Sequence, residues 1–179
     1  MKRYAVIAAL TLTLSTMVGS VETKAAEIEG VYFPDQFREA EEVLTLRGVG
    51  LVRRLFFVKL LVAGLYLQEG VPADQALSDV AKRLEMQSFR AIAGSEFAQE
   101  AEQALLKNVP PSTITALRPS IDRLHAAYED LNPGDRYALT YSPDSGTQLE
   151  LNGRVKVIID GPDFATAYFA ICSAHIRSV

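Results

Sequence analysis

Between Leu55 and Gln68 the chain reads LFFVKLLVAGLYLQ, apolar at every position except Lys59, Gly64 and the closing Gln68. Apolar residues on both parities predict a long strand that other parts of the protein cover on both faces. A helix over the same residues would hold Gly64 in its interior and lacks a polar stripe, so the strand is preferred. The run is also too short and too interrupted to span a bilayer, which takes roughly 20 apolar residues. The small pair Ala63-Gly64 predicts a bend, a bulge, or the close approach of another backbone or a ligand.

The remaining pattern surrounds this strand with α+β elements. Val31-Tyr32-Phe33 suits a short edge strand stopped by Pro34 and Asp35. Residues 36–42 read as a charged connector. Val43–Val52 predicts a strand that reaches a glycine-rich hairpin turn at Gly48–Gly50 and re-enters the long strand through Arg53 and Arg54. A phosphate-binding reading of those glycines lacks a third glycine, a Lys-Ser/Thr pair and a following helix. After a short helix over Ala73–Val80, Lys82–Phe89 alternates, with Leu84, Met86 and Ser88 opposed to Arg83, Glu85 and Gln87, as a half-buried strand does.

Two amphipathic helices are predicted next, Ser95–Lys107 with Ser95 as N-cap, and Ser112–Tyr128, interrupted or kinked by Pro119. The Pro110-Pro111 pair separates them. His125 lies beside the apolar stripe of the second helix, where an isolated histidine is more often packed or solvated than catalytic. From Asn132 onward Tyr137, Leu139 and Tyr141, then Leu149 and Leu151, then Val155, Val157 and Ile159 alternate across turns at Pro143–Gly146 and Asn152-Gly153. That is a three-stranded antiparallel meander. Gly161-Pro162-Asp163 opens a last helix whose Phe164, Tyr168 and Ile171 face the sheet. Strands, helices, strands and a closing helix make an α+β order rather than βαβ units.

Length and charge narrow the partners. The chain has 179 residues, 49% hydrophobic and 22% charged, enough for one domain with a large core. Lys2-Arg3, an uncharged run to Val21 and the small pair Ala25-Ala26 mark residues 1–26 as a secretory signal peptide, leaving a single domain over 27–179. The rival reading, an N-terminal anchor, is weakened by Thr11, Thr13, Ser15, Thr16 and Gly19. Losing Lys2, Arg3, Lys24 and Glu22 takes the formal charge from −4 to −6. An acidic chain without a basic run argues against nucleic acid and anionic membrane surfaces as partners, and no integral membrane span is expected in the mature chain. Cys172 alone allows no internal disulfide, and isolated His125 and His175 give no metal-ligand spacing. The expected location is exported, periplasmic or secreted, with no metal and no cofactor.

Several stretches together resemble the chalcone isomerase fold family. Phe57–Leu67, FVKLLVAGLYL, is similar to the Phe-Val-Lys-Phe-Thr-Ala-Ile-Gly-Val-Tyr-Leu strand of chalcone isomerase, and more so to the Lys-Val-Tyr-Val-Ala-Gly-Leu-Tyr-Leu strand of exported bacterial chalcone isomerase-like proteins. Gly48-Val49-Gly50-Leu51-Val52-Arg53 resembles the family's Gly-x-Gly-x-Arg with one extra residue. Pro133-Gly134, Ser142-Pro143, Asn152-Gly153 and Gly161-Pro162-Asp163-Phe164 follow in the family's order, so the resemblance covers about residues 30–175. It implies an open-faced β-sandwich, a large antiparallel sheet covered by helices, with a cleft between them.

In the plant enzymes that cleft closes a flavanone ring, and the resemblance implies an Arg for the phenolate with a Thr and a Tyr-held water for the enolate oxygen. Here Arg53 matches the Arg, but Leu61 stands at the Thr position. The helix Tyr and Asn, seven apart, are unmatched, since Ala101 precedes Asn108 by that spacing. The terminal helix carries Ile171-Cys172-Ser173-Ala174 where bacterial relatives have Ile-Trp-x-Gly, so Cys172 reads as a small buried filler.

The leading expectation is therefore a non-catalytic binding protein without catalytic residues. It would hold a fatty acid or another hydrophobic or amphipathic anion, with Arg53 or Arg54 at the head group, Leu61 along the tail, and Lys59 reaching the cleft or snorkelling to the sheet edge. Isomerase activity of the chalcone type and a ligand-free structural domain are the alternatives. A pocket above roughly 300 Å³ beside Leu61 separates the last from the other two.

Overall fold

The computed structural model describes residues 26–39, 42–54, 58–173 and 177–178. The proposed signal segment, apart from Ala26, thus lies outside the described residues, as do Leu55, Phe56 and Phe57.

Within the described residues the long strand covers Val58–Gln68, and its expected start at Leu55 lies outside them. This strand, β5 (Val58–Gln68), pairs on one side with β4 (Glu42–Arg54) and on the other with β6 (Lys82–Ser88). The expected turn at Gly48–Gly50 is absent, and β4 runs straight through it. Gly48 instead follows a bulge: Leu46 pairs with Tyr66 and Gly48 with Leu65, so Arg47 is the extra residue. The bulge reverses the alternation, so Leu44 and Leu46 before it and Val49 and Leu51 after it pack toward the same apolar cluster. Glycines there had looked like a turn because turns and bulges favour the same residue. β4 and β5 remain paired as far as Arg54 and Val58.

Beyond β6 come β7 (Arg136–Ser142), β8 (Gly146–Leu151) and β9 (Arg154–Ile159), antiparallel throughout. Asn152 and Gly153, with φ of 51° and 74°, form the two-residue turn that the Asn-Gly pair predicts. The residues expected as a connector are largely a strand, β3 (Gln36–Glu39), which pairs with the first half of β4. A short strand at the C-terminus, Arg177–Ser178, pairs with β4 at Gly48 and Val49 and completes an eight-stranded sheet among the described residues. Charged side chains did not prevent β3, because an edge strand needs only one covered face.

β5 is covered on both faces, as its composition requires. Ala63, Leu65 and Leu67 face a core built with α1 (Gly94–Asn108), α2 (Pro111–Ala126) and α3 (Pro162–Ser173). Val62 and Tyr66 face the hairpin of β1 (Ala26–Ile28) and β2 (Val31–Phe33). Gly64 lies under Phe33: a Cβ there would come within 2.6 Å of the ring.

Two details of the helices differ from expectation. Ser95 does not cap α1. The backbone N–H of Gly94 donates to Asp130 Oδ1 at 2.9 Å, so a residue beyond α2 satisfies the helix start. α2 continues through Pro119, with Pro111 in its first turn. Between β5 and β6, only Ala73–Gln75 is helical, as a 3-10 turn. The Cys172 side chain lies outside the described residues.

Candidate functional site

Between the sheet and α1 and α3 lies a cavity of about 370 Å³. Its floor crosses the sheet: Val52 and Arg53 on β4, Leu60, Leu61 and Ala63 on β5, Leu84 and Met86 on β6, Leu139 on β7 and Leu149 on β8. Four inter-strand spacings of roughly 4.8 Å make that span about 19 Å. Phe97, Ala101 and Ala104 of α1 and Tyr168 and Ile171 of α3 form the roof, and Tyr128, just beyond α2, closes one side. The volume exceeds the roughly 300 Å³ of a small-molecule site.

Sequence patterning explains why space remains here. α1 presents Ala101 and Ala104 where bulkier residues would fill the gap, and Ala63 adds another short side chain from below. Ala98, Ala126 and Ala127, also expected to leave room, do not line it, and no residue of α2 itself does. Leu61, which the resemblance set at the position of a threonine, lines the cavity.

The expected site residues divide. Arg53 and Leu61 line the cavity. Lys59 does not, and a second bulge accounts for it: Val52 pairs with Leu61 but Arg53 with Lys59, so Leu60 is the extra residue. Leu60 and Leu61 both line the cavity, and Lys59 is turned to the other face. There its ammonium donates to Glu29 at the tip of the β1–β2 hairpin. The Arg53 guanidinium meets the same carboxylate at 3.5 Å with about half of its side chain exposed. Glu29 therefore neutralises part of the cationic rim, a partner no local sequence signal connects to Arg53. The Arg54 side chain lies outside the described residues.

Two carboxylates, Glu96 and Glu100, and two tyrosines, Tyr128 and Tyr168, complete the polar lining. Position along the chain gave no hint of the tyrosines' shared role. Tyr168 Oη lies 3.0 Å from Tyr128 Oη and 3.0 Å from His125 Nε2. His125 Nδ1 is 3.9 Å from Glu102, which accepts two hydrogen bonds from Arg118 at 2.9 and 3.0 Å. Burial first of all holds the His125 ring below its usual 6.5, with Arg118 adding to the effect and Glu102 and Asp122 opposing it, so the imidazole is neutral at pH 7. The Arg118 hydrogen bonds likewise hold the Glu102 carboxyl below its usual range.

Tyr128 is held in place from two directions. Its ring packs edge-on against Phe97 at 4.8 Å and Tyr137 at 5.4 Å. Its carbonyl sits so close to Gly94 that a Cβ there would come within 2.6 Å. Tyr137 in turn donates to the Glu129 carbonyl at 2.9 Å and accepts from the Glu129 N–H at 2.7 Å. The cavity lining is mostly apolar, with Arg53, Glu96 and Glu100 among its polar residues and the hydroxyls of its Tyr128 and Tyr168 standing 3.0 Å apart.

Sheet, helices and cleft define a chalcone isomerase-like architecture, and the sequence agrees. The chalcone isomerase-like family model matches residues 25–172. The chain belongs to the chalcone isomerase-like family. Among solved structures it is similar to the crystal structure of a fatty-acid binding protein from Arabidopsis thaliana, with a TM-score of 0.61 over 82% of this chain and 87% of that one, at 14% identity. No curated protein matches it. No helix among the described residues is long and apolar enough to cross a membrane.

Proposed function

We propose that this is an exported, non-catalytic binding protein that holds a fatty acid or a similar amphipathic anion in the cavity between sheet and helices. The observation that carries the reading is the apolar cavity of about 370 Å³ with Leu61 on its floor and Arg53 in its lining. Burying an acyl chain there contributes about 0.8 kcal/mol per methylene before the costs of association. The head group faces Arg53, where it competes with Glu29 for the guanidinium. Similarity of fold to a fatty-acid binding protein supports the reading without assigning the ligand. Leu61 supports the absence of chemistry, because an isobutyl group cannot polarise a carbonyl.

Export rests on the N-terminal order of charge, apolar run and small residues, and implies a periplasmic or secreted location. Mass spectrometry of the protein recovered from outside the cytoplasm should show a mature chain starting near residue 27; intact Met1 refutes export. For binding, native mass spectrometry with lipid extraction precedes titration with laurate. Saturable binding in the wild type that Leu61→Trp weakens about tenfold or more, by filling the floor, is the expected result. Absence of both a co-purified lipid and saturable binding replaces the reading with a structural domain.

A further inference from the structure

One carboxylate joins the cavity to the cover on the opposite face of the sheet. Glu29, at the tip of the β1–β2 hairpin, accepts from the Arg53 guanidinium, whose Nη2 lies 3.5 Å from Oε1, and from the Lys59 ammonium through Oε2. Arg53 stands on β4 and lines the cavity, whereas Lys59 stands on β5 and does not. Behind its tip the same hairpin buries Val31 and Phe33 in the cluster that holds Val62 and Tyr66 of β5.

Two further observations show that Glu29 is more than a surface charge. Arg53 and Lys59 are register partners across β4 and β5, and like charges directly opposite each other are destabilising. The Glu29 carboxylate screens one from the other. Its backbone is also unusual: Glu29 has φ of 55° and Gly30 of 79°, the left-handed pair of a two-residue hairpin turn. Asparagine, aspartate or glycine suits the first of those positions, and a glutamate there is strained. The turn does not call for this side chain, but its reach to the two cations does.

We propose that Glu29 is a latch released by the ligand. An anionic head group arriving at Arg53 takes over the guanidinium, the carboxylate loses one of its two partners, and the β1–β2 hairpin opens more readily. Occupancy of the cavity on one face of the sheet thereby loosens the cover on the other. This deepens the cavity-binding reading and rests on it. By linkage the effect is reciprocal, so whatever holds the hairpin closed weakens the anion by the same factor. Both cations are about half exposed, and an ion pair of that kind sets the coupling at about two- to fivefold.

The test is hydrogen exchange of the full mature chain, read by mass spectrometry over residues 27–33, without ligand, with laurate and with dodecanol. Calorimetric titration establishes laurate binding beforehand. Laurate should speed exchange in that segment about two- to fivefold, because each local opening then breaks one ion pair fewer. Dodecanol, which has the same chain and no charge, should leave it unchanged. In Glu29→Gln the segment should exchange faster without ligand, and laurate should add nothing. Glu29→Asn, which suits the left-handed turn, gives the same readout where the glutamine variant disturbs the hairpin. Laurate that binds the wild type yet leaves exchange of residues 27–33 unchanged or slower overturns the latch while the cavity reading stands. Equal acceleration by dodecanol, or an undiminished response to laurate in Glu29→Gln, overturns it as well. Failure of laurate to bind removes the cavity reading and this proposal with it.

Discussion

Replacing Gly64 by alanine should destabilise the protein through one identifiable contact. The new Cβ would lie 2.6 Å from Phe33 Cδ1 and 2.9 Å from Cε1, whereas an ordinary contact is roughly 3.5–4 Å. The ring must therefore move by about 1 Å. It has little freedom, because Phe33 is fully buried among Val31, Leu44, Val62 and Tyr66, with the Arg136 guanidinium 5.4 Å from its centre. Overpacking of this kind costs about 1–3 kcal/mol. For a domain of this size, 1 kcal/mol corresponds to about 2–4 °C, so the melting temperature should fall by roughly 2–12 °C. Differential scanning calorimetry of Gly64→Ala, of Phe33→Leu and of the double variant forms a cycle in which the smaller Leu relieves the clash. The two changes should couple by about 1 kcal/mol or more, in the favourable direction. Gly64→Ala within 0.5 kcal/mol of wild type, or strict additivity in the cycle, refutes the account of why glycine stands there.

Glu29→Gln should strengthen binding of anionic amphiphiles about two- to fivefold at low salt, since it frees Arg53 and Lys59 from a surface ion pair of roughly 0.2–1 kcal/mol. Titration with laurate in low and high salt checks this, and an unchanged or weaker affinity contradicts it. Burial holds the Lys82 ammonium at about 8 against a usual 10.5, even though it donates to the Ala76 and Ser78 carbonyls. Between those values the unfolded chain binds a proton that the folded one lacks, so stability should rise by about 1–2 kcal/mol from pH 8 to pH 9.5. Tyr141, pushed up to about 12 mainly by burial, opposes this only above its usual 10. Urea denaturation across that range should show the rise and Lys82→Met should flatten it; an equal slope in both assigns it to other groups. Chalcone cyclisation should proceed at the spontaneous rate, because Leu61 supplies no hydroxyl; a saturable acceleration abolished by Arg53→Ala restores the isomerase reading.

Elements whose physics is local could be read from the order of residues alone. The β7–β9 meander was legible because alternation and Asn152-Gly153 act within a few residues, and apolar residues on both parities of β5 required two covers. What forms those covers was decided only by tertiary structure. Ala63 and Gly64 were both marked as places of close approach, but one borders the cavity and the other seats the Phe33 ring. The two bulges were hidden because a one-residue insertion is defined by the partner strand's register, and one of them turned Lys59 away from the cavity that Leu61 lines. Arg53 and Leu61 could be picked out from the strand and its resemblance to the family. Glu29, Tyr128 and Tyr168 could not, since each gains its role from a residue at least 24 positions away in the chain. Hydrophobic periodicity fixes which way a side chain faces, whereas only the packed fold brings together the hydrogen-bonding groups that such distances separate.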